Sequence, residues 1–147
     1  MTGDLLFYGA YGYTGRLVTE RAVARGLSPI LAGRNADRVE ALARQYGLRW
    51  RAFDLRNRAA PELADVSTVL NMAGPFSRTA VPMAEACLQS GTNYVDITGE
   101  ITVFEALHAL GDRAIDSGIV LLPGAGFDVV PSDCLAAHGP CTSSLAD

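Results

Sequence analysis

Lysine is absent from this chain, so its 12 basic residues are all arginine. That excludes a phosphate loop of the G-x-x-x-x-G-K-[ST] type, whose lysine reaches the phosphates, and every mechanism that needs a lysine. Cysteine is scarce: Cys87, Cys134 and Cys141 are odd in number and lack CxxC or CxxH spacing. This argues against a disulfide framework and against a zinc site, and no metal is expected. Long apolar runs are missing too, none reaching the ~18 residues of a membrane helix. The start "MTGDLLFYGAYGYTG" has no basic leader, and its apolar stretch is too short for a signal peptide. A net charge of -4 argues against a nucleic-acid surface and against an anionic membrane surface. The expectation is a soluble protein of a reducing compartment, most simply the cytosol.

What is present is a globular composition, 49% hydrophobic and 19% charged over 147 residues, long enough for one domain with a real core. Short β-type runs alternate with helical patterns. "DLLFY" reads as a first strand, followed by a glycine loop and a helix from about Gly15 to Arg25, stopped by Gly26. "SPILAG" is a second strand. Asn35 then caps a helix with Val39, Leu42, Ala43 and Tyr46 on one face, ended by Gly47. "LRWRAFDL" reads as a third, edge strand protected by Arg49 and Arg51. "VSTVLNMAG" is a fourth, leading into a helix with Val81, Ala84 and Leu88 on one face and Pro82 in its first turn. "TNYVDITGE" is a fifth. A helix through Val103, Leu107, Leu110 and Ala114 follows, ended by Gly118, and "GIVLLPGAG" is a sixth strand. Such alternation predicts an α/β fold with a doubly wound parallel sheet, in the strand order 3-2-1-4-5-6. Residues 1–137 are assigned to this Rossmann-type domain, and 138–147 to a linker or tail.

The loop "FYGAYGYTGR" places Gly9, Gly12 and Gly15 between a strand and a helix. In this fold the ligand crevice lies at the carboxyl ends of the strands, where the helix N-terminus offers free N–H groups and positive potential to a phosphate. Gly9 would make the turn, Gly12 would let pyrophosphate approach the backbone, and Gly15 would let the helix pack closely. The N–H groups of Tyr13 and Thr14 would face the phosphates. At the end of the second strand, where an NAD site places a carboxylate, this chain has "LAGRN". Arg34 can clamp a 2′-phosphate by charge-assisted bonds, which selects NADP over NAD.

With these residues in view, the chain resembles the N-terminal NADP-binding domain of the saccharopine dehydrogenase-like proteins, and within them the trans-acting enoyl reductase branch. The resemblance runs through "GAYGYTGRLV", "LAGRN", "VLNMAGPF", "GTNYVDITGE" and "GFDVVPSD", to about Leu135. Val129 departs from the small polar residue expected in the last of these. The resemblance implies a pyridine-nucleotide oxidoreductase transferring hydride between nicotinamide and an organic substrate. Gly9, Gly12, Tyr13, Thr14 and Gly15 would hold pyrophosphate, and Arg34 and Asn35 the 2′-phosphate end. Asp54 would lie near adenine, and Ala73, Gly74 and Pro75 near the nicotinamide ribose. Family members continue into a second, substrate-binding domain, so the small-molecule substrate is expected to be held by a domain that these residues do not include.

Other residues admit two roles. Asp96, Thr98 and Glu100 either touch nicotinamide or substrate, or else Thr98 caps the next helix and Glu100 complements its dipole. Asn71 either anchors the nicotinamide side or satisfies a strand end, and Tyr11 and Tyr13 either stack on cofactor or pack. His108 reads as structural, and Ser132 and Asp133 as the start of a terminal helix. No catalytic residue and no oligomeric state is assigned. The alternative function is a non-catalytic NADP-sensing module like the regulator branch of the short-chain dehydrogenases. An active short-chain dehydrogenase is excluded, because its Tyr-x-x-x-Lys pair needs a lysine.

Overall fold

The first strand, β1 (Asp4–Tyr8), is apolar from Leu5 onward, as suits a strand covered on both faces. Leu6 and Tyr8 enter one core and Phe7 enters another, as alternation across a strand requires. The computed structural model describes residues 4–56, 59–127 and 129–138. From β1 the chain runs through α1 (Tyr13–Ala24), β2 (Ile30–Gly33), α2 (Ala36–Tyr46) and β3 (Trp50–Ala52). A 3-10 turn (Ala60–Leu63) leads to β4 (Val66–Asn71), α3 (Phe76–Ser90) and β5 (Asn93–Asp96). Then come α4 (Ile101–His108), α5 (Gly111–Ser117), β6 (Leu121–Leu122) and α6 (Val130–His138).

These strands form one parallel sheet in the order β3-β2-β1-β4-β5-β6, the predicted doubly wound α/β arrangement. On one face Leu6, Ile30, Val69 and Tyr94 pack with Ala80, Met83, Ala84 and Cys87 of α3 and Val103 and Leu107 of α4. On the other, Phe7 and Leu31 pack with Ala22 of α1 and Val39, Leu42 and Ala43 of α2. Asn35 caps α2 as predicted, its Oδ1 accepting the Arg38 N–H at 2.9 Å, and Gly47 ends that helix at φ 65°. Edge strand β3 is guarded as expected: Arg49 pairs with Asp4 at 2.7 Å and Arg51 with Asp65 at 2.6 Å.

Three sequence expectations need correction. Pro82 lies in the second turn of α3, not its first, because the helix starts at Phe76. The buried stripe of α3 is Ala80, Met83, Ala84 and Cys87 with Leu88, and Val81 is exposed. The single helix through Ala114 is two, α4 and α5. Gly111 is a weak helix former, and the chain tightens ahead of it, Leu110 N–H bonding to the Leu107 carbonyl at 3.1 Å. At the start, α1 begins at Tyr13, two residues before Gly15. The terminal helix expected around Ser132 and Asp133 is α6, which also takes in His138. Asp128 of "GFDVVPSD" and the tail residues 139–147 lie outside the described residues.

Candidate functional site

The glycine loop joins β1 to α1 at the carboxyl edge of the sheet, and its glycines serve different physical needs. Gly9 has φ 82°, and a Cβ on it would lie 2.8 Å from the Ala73 nitrogen, so turn and close packing both require glycine. A Cβ on Gly15 would lie 2.4 Å from the Gly9 carbonyl oxygen and 2.6 Å from that of Ala10. Helix α1 therefore packs hard against its own loop. Gly12 is different: a Cβ there would meet only the Gly9 carbonyl oxygen, at 3.2 Å, and its φ of -69° suits any residue. The fold explains Gly9 and Gly15 but makes little demand at Gly12.

Gly12 is also the N-cap of α1, and no side chain caps that helix among the described residues. The N–H groups of Tyr13 and Thr14, at its first two positions, are the donors that a helix leaves without intrahelical partners. Tyr13 is 84% exposed beside them. Tyr11 instead packs: its ring lies against Gly33, where a Cβ would approach Cε1 to 2.6 Å, and Arg38 sits over it at 4.6 Å from the centroid.

A cleft of about 510 Å³ is lined by Tyr8, Arg34, Asp54, Arg56, Ala73, Gly74, Pro75 and Arg78, among others; no residue of the glycine loop lines it, and the loop adjoins it where Gly9 packs against Ala73. Residues far apart in sequence, at the ends of β2, β3 and β4, thus face one space. Arg34 and Asn35 are exposed at the start of α2. The Asn35 Oδ1 is occupied as the helix cap, so its amide NH₂ is the half that can meet an anion.

The Asp54 carboxylate accepts from Arg56 Nη2 at 2.9 Å, Nε at 3.2 Å and backbone N–H at 3.0 Å. These bonds from Arg56 pull its pKa down to about 2, so it is an acceptor throughout the physiological range. Tyr8 donates to the Phe53 carbonyl at 3.1 Å, and burial, with Asp54 nearby, pushes its hydroxyl up to about 12. Tyr8 is a neutral wall of this cleft.

Arg38, Arg56 and Arg78 were not singled out by sequence reading. A signal for two of them was available. Arg38 and Arg78 stand in the first turns of α2 and α3, where a cation opposes the helix dipole. Arg56 carried no such signal, since its role depends on the turn that brings it onto Asp54.

At the ends of β4 and β5 the two-way readings resolve toward structure. Asn71, Asp96 and Thr98 are fully buried. Asp96 accepts from the Tyr94 hydroxyl at 2.6 Å, Thr98 N–H at 2.9 Å and Gly124 N–H at 2.8 Å. Asn71 accepts the Ala73 N–H at 3.1 Å and donates to the Tyr94 hydroxyl at 3.3 Å. Thr98 accepts the Glu100 N–H at 3.1 Å just ahead of α4, whose N-cap is Glu100. The Glu100 carboxylate does not serve α4: it accepts the Phe76 N–H of α3 at 3.0 Å. His108 is exposed at the end of α4. Among the described residues, no cluster of His, Cys, Asp or Glu has metal-binding geometry, and no helix is long and apolar enough to cross a membrane.

Comparison with known proteins agrees with this geometry. The sequence model of the saccharopine dehydrogenase NADP binding domain matches residues 5–122. A trans-acting enoyl reductase of Mycobacterium bovis is 30% identical over 140 residues, covering 88% of this chain and 34% of that protein. A saccharopine dehydrogenase-like oxidoreductase of Mus musculus is 26% identical over 151 residues, covering 88% of this chain and 35% of the relative. The chain thus spans about a third of the length of these relatives. In fold it is similar to saccharopine dehydrogenase (L-Glu forming) from Saccharomyces cerevisiae, with a TM-score of 0.77 and 21% identity over 92% of this chain and 29% of that one. With the sheet matched from Leu5 of β1 to the end of β6, this chain belongs to the saccharopine dehydrogenase NADP-binding domain family.

Proposed function

We propose that this chain is the cofactor-holding part of an NADP-dependent oxidoreductase that transfers hydride between nicotinamide and an organic substrate. The observation that carries this reading is the single cleft onto which Arg34, Asp54 and the Ala73–Gly74–Pro75 loop all open, beside a glycine-cornered helix N-terminus without a side-chain cap. NADP is the cofactor of the family, and the residues present suit it. Gly12, the one loop glycine that the fold does not demand, leaves the backbone open for pyrophosphate. The N–H groups of Tyr13 and Thr14 donate to its oxygens, and Gly9 and Gly15 hold the loop in shape. Arg34 and the Asn35 amide take the 2′-phosphate, with Arg38 one helical turn away.

Asp54 accepts from the adenosine end, and Ala73, Gly74 and Pro75 border the nicotinamide ribose. Bound nicotinamide supplies the hydride chemistry, and the protein supplies orientation and electrostatics. The substrate, a small organic molecule, is held by a second domain of the kind that fills the remaining length of the relatives. The names of those relatives, a reductase and a dehydrogenase-like oxidoreductase, favour an enzyme over a sensor module. Residues 1–137 make up the nucleotide domain and 138–147 a tail. A cytosolic location belongs to the same reading, supported by the free thiols of Cys87 and Cys134.

Calorimetric titration with NADPH and NADH tests the site. Charge-assisted hydrogen bonds contribute about 1.5–3 kcal/mol each, so NADPH should bind about ten- to a hundredfold more tightly. Arg34→Ala should bring the two affinities close to parity. Equal affinities in the wild-type chain would overturn the assignment of Arg34.

A further inference from the structure

A buried polar chain links the ends of β4, β5 and β6, and its hydrogen-bond polarity runs in one direction. Asp96 is the last residue of β5, in register with Asn71, the last residue of β4, and Tyr94 lies two residues back on the same face as Asp96. The Asp96 Oδ1 accepts from the N–H groups of Thr98 and Gly124, and its Oδ2 accepts a hydrogen bond from the Tyr94 hydroxyl at 2.6 Å. The Tyr94 hydroxyl is the donor of that bond and the Asp96 oxygen its acceptor. Burial and the neighbouring Asp96 push the Tyr94 hydroxyl far above its ordinary value, so that proton stays in place.

Having given its one proton to Asp96, Tyr94 can only accept from Asn71, at 3.3 Å. The Asn71 NH₂ must therefore face Tyr94, and its carbonyl must face the other way. There it accepts the Ala73 N–H at 3.1 Å, while the Thr79 hydroxyl donates to the Ala73 carbonyl at 2.6 Å. Both polar groups of the Ala73 backbone are thus pinned, and Ala73 begins the loop that borders the cleft.

We infer that Asp96, through Tyr94 and Asn71, is a positioning residue that fixes the Ala73–Pro75 loop for the nicotinamide half of the cofactor. This rests on the nucleotide-site reading above and deepens it. Asp96, which stands at a strand end where an acid–base group would be sought, acts from a distance by setting the orientation of an amide. It has no free oxygen to offer a substrate. The adenosine half meets residues of β2, β3 and their following turns, which the buried chain does not touch.

The test uses this chain with two ligands, NADPH and adenosine 2′,5′-bisphosphate, which carries the adenosine end without nicotinamide. Asp96→Asn keeps the shape and the acceptor for Thr98 and Gly124, but presents an NH₂ to Tyr94. Tyr94 then keeps an acceptor for its proton only by donating to Asn71, whose amide would turn and set its NH₂ against the Ala73 N–H. Affinity for NADPH should fall about tenfold, the loss of roughly one hydrogen bond, while affinity for the bisphosphate stays within about twofold. Adding Asn71→Asp to Asp96→Asn supplies an acceptor for both Tyr94 and Ala73, and should restore NADPH binding. Tyr94→Phe, which removes the relay hydroxyl, should give the same split between ligands, and it carries the test if Asp96→Asn does not fold. Equal losses for both ligands in folded variants, or no loss for either, overturn the positioning role while the nucleotide site stands. A wild-type chain that binds neither ligand overturns the nucleotide site, and the positioning role with it.

Discussion

Glu100 caps a helix to which it does not belong: its carboxylate accepts the N–H of Phe76, the first residue of α3, at 3.0 Å. Pro75, the N-cap of α3, has no side-chain acceptor, so the cap is supplied from the loop after β5. This contact ties the Ala73–Pro75 loop to the segment that follows Asp96. Glu100→Ala should cost about 1 kcal/mol of stability, the usual loss of a helix cap. Glu100→Gln, which keeps an acceptor, should lose less. Urea unfolding followed by circular dichroism measures both, and equal stability of wild type and Glu100→Ala would show that the contact contributes nothing.

The loop glycines should separate by variant. Gly9→Ala must hold a side chain at φ 82° against the Ala73 backbone, and Gly15→Ala drives a methyl into two carbonyl oxygens. Each should destabilise by about 1–3 kcal/mol, as overpacking does. Gly12→Ala should change stability much less. Gly12→Val should leave the fold largely intact and abolish NADPH binding, read by thermal melts beside calorimetry.

Asp54 should titrate near 2 in a carbon-detected NMR titration, below its ordinary value of 3.8. Its folded pKa is depressed, so the stabilisation is fully present above about pH 4 and is lost as pH falls toward 2. Arg56→Ala should return the midpoint toward 3.8. The stability difference between wild type and this variant should be level at neutral pH, shrink as pH falls through 4 toward the folded midpoint, and vanish only below about pH 2. A wild-type midpoint already near 3.8 would remove the pair from the account of the cleft.

Cys87 lies in the core under α3, and burial pushes its thiol up to about 12. The thiolate is the reactive form, so Cys87 should resist iodoacetamide at pH 8 in the folded protein, whereas exposed Cys134 should react. Peptide mapping by mass spectrometry distinguishes them. Modification of Cys87 at the rate of Cys134 would mean that this part of the core opens readily.

Much of this protein follows from local rules written in the sequence. Apolar runs of strand length, separated by helical segments, require parallel pairing through right-handed crossovers, and the strand order is the one expected of a doubly wound sheet. Asn35 and Gly47 bound α2 because capping is a matter of adjacent residues, and Gly9, Gly12 and Gly15 mark the loop for the same reason. The phase of α3 was harder to read, because Val81 and Met83 are both apolar and the sheet decides which is buried. Asp54 finds Arg56, and Asp96 finds Tyr94 and Thr98, within two residues, but the Gly124 partner of Asp96 and the Phe76 partner of Glu100 belong to tertiary structure. A carboxylate at a strand end reads alike as catalyst, cap or tie, and the choice depends on which donors other segments bring to it. Gly124 takes up Asp96 across 28 residues, and Phe76 takes up Glu100 across 24. Spacing in sequence carries local geometry, whereas a hydrogen bond between loops exists only once the sheet has set those loops side by side.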